Sequence, residues 1–325
     1  MTDYTELILE TKAFRNFRDE FRRGKNAHAF LFQCADRTFL KQFLAACACV
    51  VLCGNHGDFD CPVCRRILGG KHADVFFYPK GKGILVKDAE EILREVAVSS
   101  VEGKGKVFVL ENMDEANTVV QNKLLKTLEE PPEGVTLLLG AVSDANVLTT
   151  VKSRCQRVEI ERFSEDRILR YLTEQGVPAE EAEIAAASAF GNVSDAEIMV
   201  NDREYLALYR LVFEMLAEMN TSRDALRYVS ALGEYKDRFS DVLDLLTSVL
   251  RDALVVQTAP ELLFHRHKRE EIQKISQNYS QQAILQCLDG ITLASKKRSL
   301  NCNFNAVLDS LILGMLEVKQ LCRVS

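Results

Sequence analysis

An α/β domain followed by an all-α region is the fold class these 325 residues predict, and three observations carry it. In the first half, short apolar runs alternate with amphipathic stretches, the pattern of a mostly parallel sheet covered by helices. Near Phe163 the pattern gives way to successive cap-and-helix signals. After position 200 only Gly233, Gly290 and Gly314 remain of 16 glycines, and Pro260 is the only proline of six. Helix breakers nearly vanish there while helical periodicity dominates.

The elements follow in order. Phe14, Phe17 and Phe21 recur at helical spacing ahead of the first strand. That spacing puts them on one core-facing stripe and leaves Arg15, Arg18, Arg22, Arg23 and Lys25 outside, a solvated helix face rather than a DNA site. Strands are expected at His28 to Cys34 (HAFLFQC), Asp74 to Tyr78 (DVFFY), Lys106 to Leu110 (KVFVL) and Thr136 to Val142 (TLLLGAV). Runs this short and apolar suit strands buried on both faces. Helices are expected over Lys87 to Ser99 and over Ala116 to Glu130, where Pro131-Pro132 stops the second. Ser164 can cap a helix running through Gln175, and Pro178 can open another ending near Gly191. Ser194-Asp195-Ala196-Glu197 has capping-box spacing for a third. Beyond it, Leu206, Tyr209, Leu211, Val212, Met215, Leu216 and Met219 keep helical spacing, as do Val307, Leu308, Leu311, Ile312, Met315 and Leu316, so a helical bundle closes the chain.

The bulk numbers bound the function. A chain of this length exceeds one compact core, and two or three domains are expected. An apolar fraction of 47% and a charged fraction of 27% describe an ordinary globular protein. The net charge of −6 argues against coating nucleic acid by charge alone, without excluding a local basic surface. No basic segment leads into an apolar one after Met1, and apolar stretches such as Phe43 to Cys53 are too short to cross a bilayer. The expectation is a cytoplasmic chain, with no membrane, whose ten cysteines are mostly reduced. Cys34, Cys47, Cys49, Cys287, Cys302 and Cys322 are read as small buried hydrophobes.

Chemistry concentrates between positions 122 and 155. Asn122-Lys123 leads into Leu124 to Pro132 (LLKTLEEPP), then an apolar strand, then Ser153-Arg154-Cys155. Together with His28-Ala29-Phe30-Leu31-Phe32, these segments resemble the first-strand, helix and finger signatures of the bacterial DNA polymerase III clamp-loader subunits, a family of the AAA+ ATPase fold. Within that family the likeness is to the delta-prime branch. The motifs cover about residues 1 to 200; beyond them the likeness rests on length and helical character.

The resemblance implies an AAA+ type parallel-sheet domain over 1–163, with an inserted zinc-module loop at about 53–72. A small helical lid over 164–203 and a helical oligomerisation collar over 204–325 would follow. It also implies gamma/tau-type ATPase subunits and a delta subunit as partners in a hetero-oligomer, with the sliding clamp and primed DNA reached through the complex. Whether this chain hydrolyses ATP is decided by its own residues. A working phosphate loop needs Gly-x-x-x-x-Gly-Lys-Ser/Thr, whose backbone N–H groups wrap the phosphates. Gln33 to Gln42 stands in its place (QCADRTFLKQ), lacking both glycines. Phe39 and Leu40 are expected in the turn into the helix, Asp36 would repel phosphate, and Lys41 reads as a solvated helix residue. At the third strand's end Glu111-Asn112 replaces the Asp-Glu pair that holds magnesium in active relatives. No arginine stands near Ser194, where the family's nucleotide sensor would fall. The chain is therefore expected to bind no ATP of its own.

Arg154 survives this loss. In the family, an arginine between Ser153 and Cys155 completes a neighbour's ATP site in trans, a role that its planar fork suits. The alternative is a surface arginine paired with Glu159 or Glu161. Cys53-x7-Cys61-x2-Cys64 falls where the family carries a zinc module, but its fourth cysteine is replaced by Ile67. His56 in the same loop is a candidate fourth ligand and His72 a more distant one; the alternative is a relic loop of three reduced cysteines. Lys123 and Lys126 lie on the helix that faces primed DNA in the family, while helix solubility explains them equally well, and Lys296-Lys297-Arg298 reads as a charged loop. Two other readings stay open at this point: an ATP-hydrolysing loader subunit, and a zinc-dependent scaffold without a loader role.

Overall fold

The computed structural model describes residues 4–24 and 27–321. Met1, Lys25 and Cys322, each part of a reading above, lie outside them. The chain divides into two compact units, Met1–Arg162 and Phe163–Ser325.

The first unit is built on a five-stranded parallel sheet in the order β2-β3-β4-β1-β5. Its strands are β1 (Ala29–Gln33), β2 (Val75–Tyr78), β3 (Lys106–Leu110), β4 (Val135–Ala141) and β5 (Gln156–Glu159). The four apolar runs become the four strands expected of them, because each is covered on both faces. The fifth strand was not expected. It pairs with β1, Phe30 opposite Gln156 and Gln33 opposite Glu159, and its Gln156, Arg157 and Glu159 are exposed. A polar edge strand carries no apolar run, and the charge guards a free edge.

Helices α1 (Thr5–Glu10), α2 (Lys12–Arg22), α3 (Arg37–Leu52), α4 (Pro62–Leu68), α5 (Val86–Val96), α6 (Thr118–Glu129) and α7 (Thr149–Lys152) complete this unit. On α2, Phe14, Phe17 and Phe21 are buried as their spacing predicts, and Phe17 meets Phe30 edge to face at 4.8 Å. Arg15, Arg22 and Arg23 are exposed, and Arg18 lies over the Phe14 ring. The α3 helix lies against β4 at Gly140, where a Cβ would stand 2.7 Å from Leu44 Cδ1 and 3.1 Å from the Glu111 carbonyl oxygen. Only glycine permits so close an approach. Cys34, Cys47 and Cys49 are buried here, as expected, and burial raises the Cys47 thiol well above its ordinary value.

On the other face, α5 and α6 cover Leu31, Phe108, Leu137 and Leu139, with Val120, Leu124 and Leu128 of α6 fully packed. Asn117 caps α6 by accepting from the Val120 N–H at 2.9 Å. His28, in the first-strand motif, bonds the Leu128 carbonyl at the far end of α6 at 2.8 Å, so two sequence motifs meet directly. Gln121 is fully buried on this helix. Its amide nitrogen donates to the carbonyls of Ala116 at 2.9 Å and Asn146 at 3.0 Å, and its oxygen accepts from the Leu148 N–H at 2.8 Å.

The second unit is all-helical: α8 (Glu165–Glu174), α9 (Ala179–Ser188), α10 (Val193–Asn201), α11 (Arg203–Glu218), α12 (Ser222–Gly233), α13 (Phe239–Val255), α14 (Arg269–Asn278), α15 (Gln281–Ser299) and α16 (Phe304–Leu321). Ser164 caps α8 by accepting from the Arg167 N–H, as expected. The capping box at Ser194 is not formed: Asn192 is the N-cap, and Ser194 lies inside α10. Asn192 holds the position without a side-chain bond to the helix N–H groups; its side-chain nitrogen instead donates to Asp195 at 2.9 Å. One core runs from Ile184 through the α11 stripe to Met315 and Leu316. Cys287 is buried there, but Cys302 is exposed, against expectation; it follows Asn301, a left-handed residue in the turn before α16. Lys296-Lys297-Arg298, expected in a loop, closes the last turn of α15, where cations suit the helix dipole.

A buried polar cluster in this unit sets a pH limit. His265 has no exposed surface; its Nδ1 meets the Tyr209 hydroxyl at 3.1 Å and its Nε2 meets Ser248 Oγ at 3.0 Å. The Tyr209 hydroxyl also lies 3.2 Å from His267 Nε2. Burial, with His267 and Arg251 nearby, lowers His265 to about 3; burial, with Lys268 nearby, lowers His267 to about 4. Each folded value lies below the unfolded one, so each contribution to stability is complete above about pH 6.5 and is lost on acidification, by about 1.4 kcal/mol per pH unit. Glu165, raised to about 7 by burial first, and Asp252, also raised by burial, act in the opposite sense. The ring C–H resonances of His265 and His267 should stay fixed from pH 8 to pH 5; movement with a midpoint near 6.5 would refute the assignment.

Candidate functional site

At the end of β1 the phosphate-loop position is filled from within. Asp36 caps α3, its carboxylate accepting from the Phe39 N–H at 2.9 Å. A helix N-terminus that would attract an anion is thus already occupied by one. Phe39 and Leu40 stand not in a turn, as expected, but in the first turns of α3, 0% and 1% exposed. Their side chains took the core space because nothing in the loop holds the helix start open. Lys41 is half out in solvent but not alone: its Nζ lies 3.3 Å from Glu111. Arg37 bridges Glu115 at 2.8 Å and Asp114 at 3.6 Å. Burial raises the Glu111 carboxyl and Lys41 opposes the shift. The cations of the loop are therefore neutralised by carboxylates at the end of β3.

Across the unit, α7 delivers Arg154 into the turn before β5. Ser153 ends the helix, with its hydroxyl donating to the Thr150 carbonyl at 3.1 Å. The Arg154 guanidinium donates through Nη1 to the Thr150 carbonyl at 2.9 Å and through Nη2 to Glu129 at 2.7 Å. Its side chain is 28% exposed, and its Nε is buried without a hydrogen-bond partner among the described residues. The partner is neither Glu159 nor Glu161 but the last residue of α6, inside LLKTLEEPP. The two signatures, 25 residues apart, share one ion pair. An exposed pair of this kind contributes at most about 1 kcal/mol. Cys155 turns inward beside Val151, and burial pushes its thiol up to about 12, which makes it a packing residue and not a nucleophile. Of the two lysines on α6, Lys123 is spent on Glu90 at 3.0 Å and Lys126 is exposed.

The cysteine module folds between α3 and α4. Cys53 closes α3, Cys61 caps α4 and Cys64 lies in its first turn. With Asp58, their ligand atoms all lie within 4.8 Å of one another, a group able to hold a metal ion. Two soft thiolates from one tight turn and a third from a helix end suit zinc. The Cys53 thiol is desolvated, but N–H groups of Asn55, Gly57 and Asp58 outweigh that and lower it below its ordinary value. Neither histidine joins the group. The ligand atoms that cluster are those of Cys53, Asp58, Cys61 and Cys64 without His56, whose Nδ1 is buried with no partner among the described residues, and His72 is held by the Asp74 N–H at 3.1 Å and by Glu102 at 3.4 Å. Asp58 escaped sequence reading because a lone carboxylate three residues before a cysteine has no metal signature of its own. Glu129 escaped because nothing local links it to Arg154.

The parallel sheet in this strand order, followed by an all-helical unit, is the AAA+ type architecture that the sequence predicts. Residues 9–164 match the family model described as DNA polymerase III, delta subunit. It is 23% identical to the DNA polymerase III subunit delta' of Bacillus subtilis, over 95% of this chain and 97% of that one. It is 26% identical to the delta' subunit of Haemophilus influenzae, over 88% of each chain. Among solved structures, a DNA polymerase III gamma subunit-related protein from Thermotoga maritima is 16% identical and aligns over 93% of this chain and 99% of its own, with a TM-score of 0.47. No helix of the described residues is long and apolar enough to cross a membrane.

Proposed function

We propose that this chain is a delta-prime-type, non-hydrolysing subunit of a DNA polymerase III clamp loader. In this reading it works in the cytoplasm beside gamma/tau-type ATPase subunits and a delta subunit, and helps place the sliding clamp on primed DNA during replication. Arg154 reaches ATP held by the adjacent ATPase subunit and stabilises charge on the phosphoryl group in transfer. Residues 164–203 serve as the lid and 204–325 as the oligomerising collar. Zinc is held by the module of Cys53, Cys61 and Cys64, where it supplies folding energy and no chemistry.

The observation that carries the reading is an asymmetry between two ends of one domain. The place for a nucleotide is occupied by Asp36, Phe39 and Leu40, with Arg37 and Lys41 neutralised. The arginine suited to another subunit's nucleotide is kept, near the surface, on a pair weak enough to exchange. Mixing the chain with gamma/tau-type and delta subunits should give one co-eluting complex, while the isolated chain gives no heat of ATP binding. ATP binding by the isolated chain would favour an ATPase subunit, and failure to co-elute would favour a scaffold outside the loader.

Glu129→Gln removes the counter-ion and leaves Arg154 its bond to Thr150. The expected change in ATP hydrolysis at the adjacent subunit's site is within about fivefold, the equivalent of an exposed ion pair. A loss as deep as that from removing Arg154 itself would show that the carboxylate is required for the reaction.

A further inference from the structure

We infer that Asp58 is the fourth ligand of the metal site, in the place that Ile67 leaves vacant in the cysteine series; the inference rests on the zinc reading above. A tetrahedral ion bound to sulfur at about 2.3 Å and oxygen at about 2.0 Å holds its donor atoms roughly 3.5–3.8 Å apart. Cys53 Sγ and Cys61 Sγ are 3.5 Å apart, and Asp58 Oδ1 stands 3.9 Å from Cys53 Sγ. Ile67 is fully buried in the core side of α4 and has no donor atom.

The carboxylate is held for this task. Asn55 Nδ2 donates to Oδ2 at 2.9 Å, which fixes one oxygen and leaves Oδ1 on the sulfur side, where it also accepts from the Cys61 N–H at 3.1 Å. Such outer bonds orient ligating carboxylates in metal sites generally. The thiolates are supported in the same way, Cys53 by the Asn55 N–H at 3.4 Å and Cys61 by the Cys64 N–H at 3.4 Å. Asn55 therefore serves two ligands at once, its backbone one and its side chain the other. Three thiolates and one carboxylate give a zinc centre the same net charge as four thiolates. The oxygen is the harder and weaker donor, so the site should release metal to chelators more readily than an all-cysteine one.

The test uses the full chain, loaded with zinc or with cobalt(II) under reducing conditions. Wild type should bind one equivalent, with a sulfur-to-cobalt charge-transfer band of three-thiolate intensity. Asp58→Cys should raise that band by about one third and keep or tighten zinc binding. Asp58→Asn, which retains a hydrogen-bond acceptor, should weaken zinc at least about tenfold in competition with a chelating dye. Its metal-free circular dichroism should match wild type, and His56→Ala should bind as wild type does. An Asp58→Asn affinity equal to wild type, or a loss confined to His56→Ala, overturns the assignment. Wild type that takes up no zinc at all overturns the zinc reading beneath it.

Discussion

Arg154→Ala is expected to slow ATP hydrolysis at the adjacent subunit's site by about 10³-fold, the lower end of the range for arginine fingers donated across an interface. Hydrolysis at the complex's other sites would continue, so the loss is read most cleanly as ATP turned over per clamp loaded on primed DNA. The fold should not suffer, since the exchangeable bond to Glu129 contributes at most about 1 kcal/mol. Thermal unfolding and co-elution with the partner subunits should therefore match wild type. Arg154→Lys should remain far below wild type, because a compact ammonium cannot offer the planar fork that engages two phosphate oxygens. Unchanged ATP hydrolysis and clamp loading in the alanine variant would sink the proposed function, whatever the family.

The second large effect is on stability. Leu40→Lys restores a lysine near the place where a working phosphate loop has one, yet that place is now core, 1% exposed and against Gly140. A buried, unpaired ammonium should cost about 3 kcal/mol or more, seen as a fall in the urea midpoint. No ATP binding should appear, because Asp36 and Phe39 still occupy the helix start. A variant as stable as wild type that gains nucleotide affinity would mean that the site is merely unoccupied and not rebuilt.

What could be read from the sequence followed from how loudly each residue's environment speaks in composition. Strands such as KVFVL and VTLLLGA are largely apolar because both faces are covered, so their burial is written into most of their residues. The edge strand Gln156–Glu159 is held by backbone bonds to β1, which leave no trace in side-chain type. Local rules also lose to local competitors: Ser194 has the right spacing for a cap, but Asn192, two residues earlier, takes it. The likeness that singles out Arg154 says nothing of its partner Glu129, since that contact exists only once α6 and α7 have packed. Asp58 shows the same limit, as geometry and not spacing makes it a neighbour of three cysteines.

The buried amide of Gln121 gives the arginine a mechanical setting. One side chain ties α6 to the carbonyl of Asn146 and the N–H of Leu148, the segment that leads directly into α7. Neither helix can slide past the other without stranding these groups in a dry core. At the opposite end of α6, Glu129 grips the guanidinium that α7 presents. Helix and turn are thus pinned firmly at Gln121, while the arginine end is held only by an exchangeable pair, so the guanidinium can let go of Glu129 without disturbing the helix that carries it.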